Sequence, residues 1–162
     1  MLKVAVRTIA SVSFIAMALL VFAPRSWARI SAGSISAING TVKLERAGRL
    51  IPAVYGTPVQ VGDKFTTEPN SRLTINLTDG SQLELNQSST LVLTQDTLRP
   101  DGSRANTKVT LLTGLLRCLV KSVPGHAPSF EVHTPNAVAS VRGTIFEVSY
   151  HKNKAAPATS TP

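Results

Sequence analysis

Residues Arg72–Leu85 read RLTINLTDGSQLEL, and their period decides the fold. Leu73, Ile75 and Leu77 alternate with Thr74, Asn76 and Thr78; after Asp79-Gly80-Ser81, Leu83 and Leu85 alternate with Gln82 and Glu84. A period of two puts the apolar residues on one face of a strand and the polar ones on the other. Asp-Gly between two such runs marks a β-hairpin, because glycine accepts positive φ and aspartate tolerates it. The segment therefore predicts two antiparallel strands, one face on a core and the other in water.

The same period recurs on both sides. Ser36–Leu44 (SAINGTVKL) reads as one strand bent at Gly40, and Pro58–Thr67 (PVQVGDKFTT) as strand around a Gly62-Asp63 turn. Leu91 and Leu93 resume the alternation after the polar run Asn86–Thr90. Val109–Leu112 and Leu115–Val120 flank Gly114, and Ser129–His133 and Ile145–Tyr150 close the pattern. Turns are expected at Gly48, Gly62, Asp79-Gly80, Asp101-Gly102, Gly114 and Gly125. Short strands between such turns predict an all-β domain over residues 34–150: a compact antiparallel sandwich, jelly-roll-like, or a short β-solenoid. The expected core is Val42, Leu44, Val61, the apolar positions of Leu73–Leu85, Leu91, Leu93, Val109, Leu111, Leu115, Leu119, Phe130, Val132, Val141, Phe146 and Val148.

The ends differ from this domain. Met1–Arg7 carries Lys3 and Arg7 and no acid, Ile9–Ala23 is apolar or small throughout, and Ser26-Trp27-Ala28 follows. A basic start, an apolar run and small residues at an A-x-A-like site form a secretory signal, so residues 1–28 are expected to be removed after Ala28. The run is shorter than the ~20 residues that span a bilayer comfortably. An uncleaved signal-anchor is the alternative, and it is the one membrane attachment expected. Residues 151–162, HKNKAAPATSTP, read as a disordered tail. The domain is thus expected to be periplasmic or otherwise extracytoplasmic.

The 162-residue chain has 17 basic against 9 acidic residues, a formal charge of +8. Three of the basic residues fall in the signal, and the rest are scattered without a run. With aromatics at 5%, this argues against nucleic-acid binding, which favours clustered charge and stacking rings. Cys118 is the one cysteine, so no intrachain disulfide forms; within LLRCLV it reads as a small core residue. His126, His133 and His151 lack metal-ligand spacing, no G-x-S-x-G elbow occurs, and the carboxylates are scattered. No catalytic residue, metal or cofactor is expected.

Four motifs carry a family resemblance: Gly40-Thr41-Val42; Val61–Thr67 (VGDKFTT); Asp79-Gly80-Ser81 among alternating leucines; and Phe130–Pro135 (FEVHTP) running into Ala137–Phe146 (AVASVRGTIF). In this order they resemble the FecR domain, a periplasmic module of bacterial cell-surface signalling systems. The resemblance spans Ile38 to Tyr150 and is most specific in Thr134–Phe146. The family's iron-responsive regulators place a cytoplasmic anti-sigma region before a membrane span and a receptor-contacting part after the domain. Seven residues precede the apolar segment and a short tail follows Tyr150, so the resemblance is read as implying a stand-alone module.

Thr134, Pro135, Arg142, Gly143 and Thr144 form the candidate binding or structural motif. The Arg142 guanidinium suits a carboxylate or phosphate held bidentately. The other reading pairs it with Glu147 or Asp63, with Gly143 allowing a tight bend. Thr134-Pro135 is expected to end a strand, since proline donates nothing to the ladder. Gly62, Asp63, Asp79 and Gly80 are expected turn formers, the carboxylates bonding backbone amides. Together these features predict an exported, non-catalytic module that binds an envelope protein or a cell-wall polymer, a protein being met along an exposed strand edge. The alternative is a sensor or regulator of an iron-type cell-surface signalling system.

Overall fold

A computed structural model describes residues 31–99, 104–121, 129–141 and 145–151. The expected signal, Asp101-Gly102, Gly125, Arg142-Gly143-Thr144 and all of the expected tail but His151 lie outside these residues. The strands are β1 (Gly33–Asn39), β2 (Val42–Arg46), β3 (Arg49–Ile51), β4 (Pro58–Val59), β5 (Lys64–Thr67) and β6 (Arg72–Leu77). They continue with β7 (Gln82–Leu85), β8 (Thr90–Leu98), β9 (Arg104–Leu119), β10 (Ser129–Thr134), β11 (Ala137–Val141) and β12 (Ile145–Tyr150). The hairpin predicted from Arg72–Leu85 is β6–β7, in register Leu73↔Leu85 to Asn76↔Gln82. Gly80 has φ 83°, and Ser81 donates its N–H and its hydroxyl to the Asp79 carboxylate at 2.9 and 3.0 Å.

The strands make one curled, largely antiparallel sheet, a half-barrel of sandwich-like form. One half runs β4-β1-β6-β7-β9-β12 and the other β3-β2-β5-β8-β9-β10-β11. β9 belongs to both, and its pairing with β10 is parallel. The core fills the concave side: Ile35, Leu73, Ile75, Leu83 and Leu116 from one half, Leu44, Phe65, Leu91, Leu111 and Phe130 from the other. Phe130 and Phe146 meet edge to face with centroids 6.0 Å apart, a favoured aromatic geometry that links the two halves.

Long strand paths change halves along a single crease. β1 and β2 meet at Gly40, β5 and β6 at Glu68–Ser71, β7 and β8 at Asn86–Ser89, and β9 crosses at Gly114. Left-handed backbone gathers there: Gly40 at φ 76°, Asn70 at 56°, Ser88 at 52° and Gly114 at 96°. The regular ladder is interrupted at the crease, so buried hydroxyls satisfy the backbone instead. Ser71 Oγ accepts from Thr41 N at 2.8 Å. Thr67 Oγ1 donates to Asn86 O at 2.5 Å and accepts from Ser89 N at 3.0 Å. Ser89 Oγ donates to Gln87 O at 2.9 Å and accepts from Leu115 N at 3.0 Å.

The crease accounts for the departures from the sequence reading. Ser36–Leu44 is not one bent strand but two, β1 and β2, in opposite halves. Gly114 makes no turn; it lies inside the 16-residue β9. Thr90 faces Thr113 whereas Leu91 faces Leu111, so Leu112 is an extra residue at a β-bulge. One inserted residue exchanges the two faces of a strand. The buried positions therefore pass from Val109 and Leu111 to Leu116, Cys118 and Val120. Leu119, expected inside, is 44% exposed, and Leu115 is only half-buried. Val61, also expected inside, sits in the turn before β5 and is 40% exposed. Cys118 is the small core residue expected, and burial pushes its thiol pKa far up.

Candidate interaction site

The turn residues lie apart from one another. Asp63 is fully buried, which a carboxylate sustains only when paired. Arg46 on β2 supplies the pair, donating Nε to Oδ1 at 2.6 Å and Nη2 to Oδ2 at 2.7 Å. Gln60 N donates to the same carboxylate at 2.8 Å, and Arg46 Nη2 also reaches Pro58 O at 2.7 Å. Asp63 thus shapes its turn through the Gln60 amide and holds the Arg46 guanidinium; Arg142 lies outside the described residues. Gly62 N donates to Leu93 O at 2.8 Å, fixing this turn on β8. The Asp79-Gly80 turn is at the tip of β6–β7, where Ser81 Oγ accepts from Lys121 N at 3.0 Å.

The most specific motif forms the β10–β11 hairpin. Thr134 ends β10, and exposed Pro135 and Asn136 make the turn. The Thr134 hydroxyl accepts from Ala137 N at 3.0 Å and donates to Ala137 O at 3.2 Å, closing the hairpin. Phe130 and Val132 point from β10 into the core. Glu131 and His133 occupy the other face, where His133 Nε2 lies 3.0 Å and Lys108 Nζ 3.4 Å from Glu131 Oε2. The Glu131 carboxyl is held below its ordinary pKa, first by the His133 hydrogen bond and then by the Lys108 charge. The sequence placed Glu131 and His133 on one strand face but offered no signal for Lys108, which arrives through the parallel β9–β10 register.

Beyond β11 the sheet is open: among the described residues β11 pairs with β10 alone. Its sequence AVASV holds no charge and no proline, and Val138 is 58% exposed. The other ends of the sheet are blunted in ordinary ways. β3 has three residues and β4 two, and β12 carries an exposed Glu147 at its centre. β11 is therefore the edge best suited to receive another strand. Thr134 and Pro135 stand at its start, and residues 142–144 follow directly.

A family model described as FecR protein matches residues 63–159, more than half of the chain. No curated protein and no solved structure matches. The match opens at the buried Asp63, includes β5–β12, and runs past Tyr150, whereas the resemblance read from the motifs spanned Ile38 to Tyr150. With the VGD turn, the Asp79-Gly80 hairpin and the Thr134-Pro135 hairpin all in one curled sheet, the chain belongs to the FecR family, known from regulators of cell-surface signalling.

Proposed function

We propose that this chain is a non-catalytic, extracytoplasmic interaction module that takes an extended segment of an envelope protein along the open edge of β11. The supporting observation is the uncharged, proline-free β11, which pairs on one side only among the described residues. A strand edge offers unpaired N–H and C=O groups to an incoming chain, and alternate side chains such as Val138 add selectivity. The export reading of residues 1–28 supports an extracytoplasmic location, where such partners are found. The family's role in surface signalling favours a partner from a signalling or transport assembly.

Val138→Lys puts a charge on this edge while leaving the core untouched. Recovery of one envelope protein on immobilised chain should fall at least about tenfold with this variant, as expected for a strand-addition contact. Hydrogen exchange of residues 137–141 should slow when the partner binds. Equal recovery by both forms, or unchanged exchange at β11, refutes the edge as the docking site.

A further inference from the structure

The outer side of the crease holds a groove of about 850 Å³. Its volume falls within the ~300–1,000 Å³ typical of small-molecule sites. Side-chain amides dominate its lining: Asn39 from the end of β1, Asn70 from the β5–β6 turn, and Asn86 and Gln87 from the β7–β8 turn. Leu115 is the apolar member, facing outward because the bulge in β9 reverses its phase. No Asp or Glu lines the groove, which argues against a cation as ligand. Two basic side chains line it, Arg72 and His151; the Arg72 guanidinium lies 3.1 Å from Glu84, so its charge is already compensated.

We infer that this groove binds a glycan strand. A primary amide presents a donor and an acceptor in one plane, which matches neighbouring hydroxyls and the acetamido groups of amino sugars. The side-chain amides of Asn39, Asn70 and Asn86 have no hydrogen-bond partner among the described residues, so they face the groove uncommitted. The turns that carry them are fixed from behind. Gln87 Oε1 accepts from Asn70 N at 2.8 Å, and the buried hydroxyls of Thr67, Ser71 and Ser89 hold the three turns together. A polar site that is ordered before binding loses less conformational freedom on binding. Leu115 gives a sugar ring's C–H face one apolar contact. Without an aromatic platform the affinity is weak, in the range of about 1 mM. The inference does not depend on the β11 edge, which is formed by other strands.

The test is a titration of the full chain with a β-1,4-linked N-acetylglucosamine tetrasaccharide, followed by amide NMR. Saturable shifts are expected at the side-chain amides of Asn39, Asn70, Asn86 and Gln87. Asn39→Ala with Asn86→Ala should weaken binding about tenfold or more while the spectrum stays dispersed. Asn39→Ala alone serves if the double variant fails to fold, with a weakening of about threefold expected. Val138→Lys should bind as the native chain does, which separates this site from the strand edge. The inference is overturned if no saturable shift appears, if the shifts map elsewhere, if the folded variants bind unchanged, or if poly-glutamate displaces the sugar from the groove.

Discussion

Two residue clusters have unequal partners, and the inequality is measurable. Arg46→Ala strands the fully buried Asp63 carboxylate, and breaking a buried pair in this way costs about 3–5 kcal/mol. Asp63→Ala leaves a guanidinium that is 19% exposed and can turn to water, so it should cost less, about 2–3 kcal/mol, mostly from the orphaned Gln60 N–H. Urea midpoints should rank native chain, Asp63→Ala, Arg46→Ala in falling order; the reverse order of the variants refutes this reading. Glu131 gives a pH signature. Its pKa lies below the ordinary 4.5, so the folded state holds its proton less readily than the unfolded state. Its contribution to stability is present above pH 4.5 and is lost as pH falls through the lowered folded value. The melting-temperature gap between the native chain and Glu131→Gln should close on acidification; a gap that is flat with pH rules out this contribution. Both carboxylates were visible in the sequence, and so was His133 beside Glu131, but Arg46 and Lys108 were not visible as their partners. Arg46 is 17 residues away on another strand, and a pairing that arises from register leaves no mark in local spacing.

At the scale of elements, the crease governs. A Cβ on Gly114 would fall inside the contact radius of Ser89 Oγ, and φ 96° disfavours any L side chain. Gly114→Ala should therefore lose about 1–3 kcal/mol from backbone strain alone, with the Ser89 overlap in addition. Thermal unfolding of Gly114→Ala against Gly48→Ala, where a Cβ meets nothing within 4 Å, isolates the overlap; equal losses contradict it. The β6–β7 hairpin was legible because its signal is local: alternation within five residues and a turn with its own chemistry. The break at Gly40 and the passage through Gly114 were not, since glycine in a strand pattern marks a bend, a bulge or a turn alike. The polar run Asn86–Thr90 interrupts the alternation in the sequence; only the packing of successive turns lines it up with Asn39 and Asn70 into a groove.

For the whole molecule, β9 makes the two halves one cooperative unit, because it carries ladders of both. Phe130→Ala removes the ring that meets Phe146 across the halves and should cost about 3–5 kcal/mol. Circular dichroism and tyrosine fluorescence should still report one coincident urea transition at a lower midpoint; separated transitions refute a shared unit. The sequence by itself determined the all-β class, the hairpin at Asp79-Gly80, most of the core and the family motifs, because alternation and turn chemistry act between near neighbours in the chain. The tertiary structure alone decided which strands face each other, which half each occupies, that Leu116 rather than Leu115 is inside, which edge stays open among the described residues, and that three asparagines from separate strand ends and turns share one groove. Those outcomes depend on long-range register, where one bulged residue exchanges the faces of a strand.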